Sequence, residues 1–376
     1  MRFAWARSVL TTRSMVSARV SGRLWLGGLA ATLLVGCFGQ IESTGSAESR
    51  ALAQPPGDPP ASSSASDAGA GSSTSASLFL PLGYPPDTLV NDADYIYWSE
   101  LNSVFRASKV APVREKLFGD GTATTGSIAV DDAFVYGVDW QRGSLLARAK
   151  SGGAIETILP EGSGARVIAQ DATNLYVGLG KGGGIRVFAK GQHASVTTLR
   201  AGQSLLQLAV SNGTVFSVEG DYMTSTTMNI ARSTTSGTGA DVVAVVRNPP
   251  YQLVAVNDVA YWTEDGALRS TSSTTPLYVP TAGTFLVSGL SVIGDNAYVV
   301  EMSMASRDVD GTLLRVPLGG GASSVVASLA IDSPPGALRA FGVRETNDAA
   351  NIYVSAYWTN PMTAARGDAI LRVPVP

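Results

Sequence analysis

The chain has 376 residues, and its 27 Lys and Arg against 30 Asp and Glu give a formal net charge of −3. Only 15% of the residues are charged, below the roughly 25% of an average soluble protein, and the slightly acidic balance argues against nucleic acid as a partner. The chain contains 1 Cys and 1 His, which excludes an internal disulfide framework and leaves almost no material for multi-Cys or multi-His metal sites or His-dependent catalytic triads.

The N-terminal segment is basic at first and then apolar. Apolar and small residues run from Leu24 to Gly36, and these 13 residues are too few to cross a bilayer core as a helix, which needs about 20. A charged start, a short apolar middle and a small residue before a cleavage point are typical of a secretory signal peptide. The segment contains no acidic residue, and its basic residues are Arg2, Arg7, Arg13, Arg19 and Arg23.

The segment ends in Leu34-Val35-Gly36-Cys37, which resembles the lipobox of bacterial lipoproteins. The resemblance implies cleavage before Cys37, attachment of diacylglycerol to its thiol and further acylation, with palmitate-type chains, of the new N-terminus. Two or more chains would hold the protein stably at a membrane, whereas one binds only marginally. Phe38 follows where an Asp would imply retention at the inner membrane, so the resemblance favours the outer membrane or cell surface. An ordinary signal peptide with a coincidental Cys remains open, and Met15 could be the true start.

Removal of residues 1–36 would leave 22 basic against 30 acidic residues, a net charge of −8. This acidic product further disfavours nucleic acid and anionic headgroups as partners. Residues 37–76 are rich in Ser, Ala, Gly and Pro and cannot bury enough apolar surface to offset the entropy of ordering. We expect a lipidated Cys and a disordered linker here, followed by one folded domain over 77–376.

From residue 77 onward a strand–turn–strand unit repeats about every 40 residues. Each copy places an apolar strand before a turn with Asp or Asn, and then a second strand that carries an aromatic. A third strand with one Arg follows, and a fourth closes the unit. The key aromatics are Tyr97, Tyr136, Tyr176, Phe216, Tyr261, Tyr298 and Tyr353, and the corresponding arginines are Arg106, Arg148, Arg186, Arg232, Arg269, Arg315 and Arg372.

Four strands in about 40 residues is the spacing of a β-propeller blade. Tyr97-Trp98-Ser99, Tyr261-Trp262-Thr263-Glu264 and Tyr357-Trp358-Thr359-Asn360 resemble the YWTD-type propeller repeat. The last repeat reaches Pro376 without a fourth strand, and Ser77-Leu78-Phe79-Leu80-Pro81 has no other blade to join. We therefore predict an all-β, seven-bladed propeller of four-stranded blades, with an N-terminal strand that completes the last blade and removes an open edge. Six or eight blades remain possible.

The repeated residues have structural as well as functional interpretations. The recurrent Asp and Asn could form a metal-binding ring, but short polar side chains in turns more often bond the local backbone. The seven Arg could bind a polyanion, but their apolar neighbours favour packed blade faces with locally paired guanidinium groups. We expect the one histidine, His193, to be a solvated surface residue. Asp308-Val309-Asp310-Gly311 resembles the start of a calcium loop without its later ligands, so calcium stays open and no other cofactor is expected.

The aromatic-to-Arg distance is longest in repeats 4, 6 and 7, which predicts long loops between their second and third strands. Such loops share one face of a propeller, and long loops on a rigid scaffold are where binding residues gather. Drifted insertions without a role are the alternative. The candidate binding face consists of Tyr222, Met223, Glu301, Arg307, Asp308, Asp310, Tyr357, Trp358, Asn360 and Arg366.

These features favour a lipid-anchored, non-catalytic envelope module that binds a protein or a glycan. The alternative is a metal-dependent propeller hydrolase or lyase that uses carboxylates near the central channel. A third hypothesis is a structural component of a surface layer. No motif identifies the ligand.

Overall fold

The structure is a computed structural model that describes residues 76–101, 103–119, 125–193, 195–220, 225–250, 252–303, 311–329, 341–359 and 366–375. The predicted signal peptide, Cys37 and almost all of the predicted linker lie outside these residues. All regular structure in the described residues is β-strand, arranged in seven sheets. None of these residues forms a helix that is long and apolar enough to cross a membrane.

The strands follow one another in chain order through the blades. The first strand is β1 (Ser77–Leu82). Blade 1 contains β2 (Thr88–Asn91), β3 (Tyr95–Glu100), β4 (Ser103–Ser108) and β5 (Glu115–Phe118). Blade 2 contains β6 (Thr125–Val130), β7 (Phe134–Asp139), β8 (Ser144–Ala149) and β9 (Ile155–Leu159). Blade 3 contains β10 (Ala165–Gln170), β11 (Asn174–Leu179), β12 (Gly184–Ala189) and β13 (Ser195–Leu199).

The remaining blades continue the same meander. Blade 4 contains β14 (Leu205–Ser211), β15 (Thr214–Glu219), β16 (Met228–Thr234) and β17 (Asp241–Val246). Blade 5 contains β18 (Leu253–Val256), β19 (Val259–Glu264) and β20 (Ala267–Ser270). Blade 6 contains β21 (Thr284–Ile293), β22 (Asn296–Ser303), β23 (Gly311–Pro317) and β24 (Ser324–Ser328). Blade 7 contains β25 (Phe341–Asn347), β26 (Asn351–Thr359) and β27 (Arg366–Pro374).

The N-terminal strand completes blade 7. Its sheet has the order β1-β27-β26-β25, and β1 runs antiparallel to β27 from the pair Ser77 and Arg372 to the pair Leu82 and Asp368. The first strands of neighbouring blades contact each other around the whole ring, including β25 with β2. The predicted seven-bladed propeller and its N-terminal closing strand are thus confirmed.

Blade 5 differs from the other blades at its outer edge. Its sheet has three strands, and the segment after β20 reaches the outer position only at an isolated bridge between Leu268 and Tyr278. Tyr278 donates its hydroxyl to Glu301 of blade 6. The place of a fourth strand is therefore taken by a loop that is attached to the next blade.

Polar side chains connect the first strands around the channel. Their edges do not pair with each other as strands, so backbone groups there need other partners. Thr88 donates to the carbonyl of Gly126 in blade 2, and Gln207 donates to the carbonyl of Pro250 ahead of blade 5. The ring is therefore closed by side-chain hydrogen bonds as well as by apolar packing between blades.

The seven key aromatics lie on the second strands and are all buried, as the repeat predicts. The arginines lie on the third strands, but in two different registers. Arg106, Arg232, Arg315 and Arg372 stand directly opposite the aromatic of their blade. Arg148, Arg186 and Arg269 stand opposite the residue next to it. Because adjacent strand residues point to opposite faces, the seven arginines do not share one face of their blades.

Candidate functional site

The two ends of the propeller are built from different connections. An antiparallel meander brings the turns between first and second strands and those between third and fourth strands to one end, which we call the turn face. The loops between second and third strands and the connections between blades lie at the other end, which we call the loop face.

The turn face repeats one arrangement in blades 1, 2, 3 and 7. In blade 2, Oδ1 of Asp131 accepts the backbone N–H groups of Ala133 and Phe134 at 2.8 and 2.7 Å. Its Oδ2 accepts the hydroxyl of Tyr136 at 2.8 Å. The equivalent aspartates are Asp92, Asp171 and Asp348, each with the tyrosine five residues later. The interpretation of these aspartates as backbone-capping turn residues is confirmed.

Blades 4, 5 and 6 use tight two-residue turns instead. Asn212 and Gly213 separate β14 from β15, and both have positive φ, at 46° and 79°. The short turn offers no aspartate, and the key aromatic of that blade is Phe216, which has no hydroxyl to satisfy. In blade 4 the missing hydroxyl thus accompanies the missing aspartate, whereas blades 5 and 6 keep Tyr261 and Tyr298 beside two-residue turns.

Cations from the following blade reinforce this arrangement. Lys150 of blade 2 bonds Oδ2 of Asp92 in blade 1 at 2.6 Å, and Lys109 of blade 1 bonds Asp348 of blade 7 at 2.6 Å. Burial alone would raise the pKa of Asp92, but hydrogen bonds from Lys150, Tyr97 and the backbone outweigh it and lower that pKa. Burial, together with the charge of Asp348, raises the pKa of Tyr353 to about 12. The ion pairs of Lys150 with Asp92 and of Lys109 with Asp348 therefore join neighbouring blades.

His193 makes the corresponding contact between blades 2 and 3, and the expectation of a solvated surface residue is wrong. Its side chain is only 12% exposed, and its Nδ1 lies 3.1 Å from Glu156. Its ring packs edge-on against Phe134 and Tyr136. A positive φ of 53° turns the side chain inward, which the polar composition of the surrounding turn did not indicate.

The loop face opens into the central channel. A cavity of about 380 Å³ lies at the start of the first strands of blades 1 to 5, and a deeper one of about 270 Å³ continues towards the turn face. We call the first cavity the channel mouth. The polar residues that line it include Asp87, Thr88, Ser127, Arg166, Gln207 and Gln252, and Gly126 and Leu206 line it as well.

β-Bulges occur at three residues that line this mouth. In blades 2, 3 and 4 the register between first and second strands slips by one residue, so that Gly126, Arg166 and Leu206 are unpaired in the ladder. All three line the channel mouth. A bulged residue commonly redirects a side chain in this way, often beside a binding site.

Large exposed side chains lie on the loop face of blades 1 and 2. Tyr84 is 53% exposed, Leu101 54% and Trp140 50%. The Trp140 ring packs against the Cα of Gly126, where an added Cβ would lie 3.0 Å from its Cδ1. Arg166 and Lys181 are also exposed, and no carboxylate of the described residues forms an ion pair with either. The loop face thus presents aromatic, aliphatic and cationic groups side by side.

A repeated carboxylate lies at the loop-face end of the second strands and was not predicted as a repeat from the sequence. In five blades a carboxylate lies three positions after the key aromatic. These carboxylates are Glu100, Asp139, Glu219, Glu264 and Glu301. This is the position of the Asp in the YWTD repeat, so the spacing of that repeat could have revealed it.

These carboxylates are held by local partners. Glu219 accepts Nε of Arg200 at 2.6 Å and the hydroxyl of Ser217 at 2.8 Å. Glu100 accepts Nε1 of Trp98 at 3.0 Å and pairs with Arg114 at 3.2 Å. Each of the five carboxylates lies in a different blade. In the described part of the chain, no group of three His, Cys, Asp or Glu residues could hold a metal ion.

The predicted candidate binding face is described only in part. Tyr222, Met223, Arg307, Asp308, Asp310 and Asn360 lie outside the described residues, and so does most of the calcium-like segment. Tyr357 and Trp358 lie near the end of β26, and Arg366 begins β27 opposite Thr359. Glu301 lies on β22 and accepts the hydroxyls of Tyr278 and Thr284.

Several of the repeated arginines are paired locally, as expected of packed blade faces. Arg106 pairs with Glu115 at 2.7 Å, and Arg232 lies 3.6 Å from Asp241. Arg148 donates to the carbonyl of Leu117 in the preceding blade. Their split register, together with this pairing, disfavours a common polyanion-binding ring.

No protein-family model matches the sequence, and no curated protein matches it. Solved structures do align with the fold. The WD40 domain of Neurospora crassa Pan2 gives a TM-score of 0.54 at 13% identity, over 78% of this chain and 90% of that one. A streptogramin B lyase gives 0.53 at 12% identity, over 79% and 97%. The virginiamycin B lyase from Staphylococcus aureus gives 0.53 at 13%, over 76% and 94%. At these identities the similarity shows the propeller fold alone.

Proposed function

We propose that the chain is a lipid-anchored protein of the cell envelope, at the outer membrane or cell surface. Its propeller binds a protein or glycan through its loop face and does not catalyse a reaction. One observation carries the binding role: the loop face, where the channel mouth opens, presents exposed Tyr84, Leu101 and Trp140 together with the cations Arg166 and Lys181. Aromatic and Arg side chains are enriched where proteins make contacts. On the turn face, by contrast, the aspartates are bonded within and between blades.

The long strands of blades 6 and 7 add to this face. β22 has 8 residues, and β26 and β27 have 9 each, whereas the second strands of blades 1 to 5 have 6. In β26 the additional residues extend towards the loop face, because Tyr353 lies near the turn face as the key aromatics of the other blades do. The predicted binding residues Tyr357, Trp358 and Arg366 belong to this extension.

The test is crosslinking in intact cells, followed by identification of captured molecules. A loop-face variant, L101D with W140S, is compared with a turn-face variant, V110D with V113S. The control residues are at least as exposed, Val110 at 93% and Val113 at 74%. We expect the loop-face variant to lose captured partners that the wild type and the control retain. Equal capture by all three would contradict binding through this face.

Metal analysis of the purified chain separates the proposal from the alternative of a metal-dependent hydrolase or lyase. Such an enzyme would retain about one metal ion per chain and lose activity on chelation. A tightly bound stoichiometric metal would therefore count against a purely binding role.

A further inference from the structure

Arg166 is an exposed cation among the residues that line the channel mouth. It is the unpaired residue of the bulge in β10, where Ala165 pairs with Leu179 and Val167 with Gly178. Its guanidinium lies against Gly180, in the space that a side chain at residue 180 would fill. Among the described residues no carboxylate pairs with it, and Asp87, which also lines the mouth, has an interaction of its own. Because Arg166 is exposed, an anion from solvent can reach it.

Hydrogen-bonding groups with unused capacity lie around it. Gln207 uses its amide nitrogen for the carbonyl of Pro250, and Gln252 uses its amide oxygen to accept the N–H of Leu290. The opposite amide atom of each remains for a ligand, so that one side chain offers an acceptor and the other a donor. Hydroxyl groups, which both donate and accept, match such a pair.

Trp140 supplies an apolar surface at the rim. It is half exposed, and its packing against Gly126, itself part of the lining, fixes the ring beside the mouth. An aromatic face combined with a few polar groups is the usual composition of a small-molecule site, and about 380 Å³ lies within the usual range of about 300–1,000 Å³.

We propose, on the basis of the binding function above, that the channel mouth binds one acidic sugar unit of a saccharide. Arg166 pairs with the carboxylate or phosphate of the sugar, Trp140 packs against its C–H face, and Gln207 and Gln252 bond its hydroxyls. A peptide is less suited, because the mouth offers separate donors and acceptors in an open depression rather than an exposed strand edge or an apolar groove.

The experiment uses the full-length chain and an array of saccharides that carry uronic acid, sialic acid or phosphate groups, each beside its neutral counterpart. Hits are titrated by calorimetry, for example trigalacturonic acid against its carboxyl-reduced form. We expect acidic members to bind at least tenfold more tightly than neutral ones. R166Q should weaken binding at least tenfold and W140S severalfold. R232Q, a change of an exposed arginine on the outer part of blade 4, should have no effect.

Two outcomes would overturn the inference: no acidic saccharide binds the wild type, or binding is unchanged in R166Q. Circular dichroism and thermal midpoints of the variants show whether they fold. If no saccharide binds while crosslinking still depends on Leu101 and Trp140, the inference fails and the proposed function stands. If crosslinking does not depend on the loop face at all, the proposed function itself fails.

Discussion

At Asp131, one carboxylate accepts two backbone N–H groups and the hydroxyl of Tyr136. Hydrogen bonds to charged groups contribute about 1.5–3 kcal/mol each. We expect Tyr136→Phe to lower the free energy of unfolding by about 2 kcal/mol, because it leaves Oδ2 of Asp131 without that donor. Urea denaturation measures the change.

Phe216 provides the matched control for this prediction. It occupies the same position in blade 4, is fully buried, and follows a turn without an aspartate. Phe216→Tyr would bury a hydroxyl without a carboxylate acceptor, so it should destabilise the protein rather than stabilise it. A neutral Tyr136→Phe, or a stabilising Phe216→Tyr, would show that the aspartate is not what holds the tyrosine.

The sequence revealed much of this residue-scale pattern. The spacing of five from Asp to Tyr is visible in four copies, and short polar residues in turns predict backbone capping. The position of His193 could not be predicted, since it depends on a positive φ and on rings from the neighbouring blade. The register of the arginines was also hidden, because a difference of one residue in loop length reverses the face of a strand.

At the scale of elements, β1 is the part of the fold whose prediction depended on topology rather than on local pattern. Phe79 lies in a bulge between the pairs of Leu78 and Leu80 with β27 and packs edge-on against Tyr353 at 5.4 Å. Phe79 is 7% exposed, and its neighbour Leu78 is 54% exposed. Truncation of Phe79 and of Leu78 therefore distinguishes closure of the ring through Phe79 from a general effect of shortening an apolar side chain in β1.

We expect Phe79→Ala to lower the free energy of unfolding by about 3 kcal/mol, as is usual when a buried Phe is truncated. Leu78→Ala in the same strand should change it by less than about 0.5 kcal/mol, because exposed positions contribute little. Urea denaturation and hydrogen exchange of β27 report the effect. Similar losses in both variants would mean that β1 does not close blade 7 through Phe79.

Other features of the elements could not be read from the sequence. The outer strands of blades 1, 2, 4 and 6 each bulge at an apolar residue, namely Leu117, Ile158, Val243 and Val326. The first-strand bulge at Arg166, a lining residue of the channel mouth, is equally invisible, because a bulge changes pairing without changing residue type. This is why the sequence indicated the loop face but not the channel mouth.

At the scale of the whole molecule, the chain combines a predicted anchor with a closed ring. The propeller begins at β1, well after Cys37, and β1 is held by β27. We therefore expect the ring to fold without the predicted anchor, so that the two can be separated by mutation. Only membrane attachment should respond to changes at the lipobox-like segment.

We expect Cys37→Ser to abolish incorporation of a clickable palmitate analogue and to release the chain from the membrane fraction. The thiol is the group that would carry diacylglycerol, and each buried CH₂ of an acyl chain contributes about 0.8 kcal/mol to membrane binding. Gly36→Ala keeps a small residue before the Cys and should remain labelled. The thermal midpoint of the propeller should be the same in all three proteins. Continued labelling or membrane retention of the Cys37→Ser chain would refute lipidation at this residue.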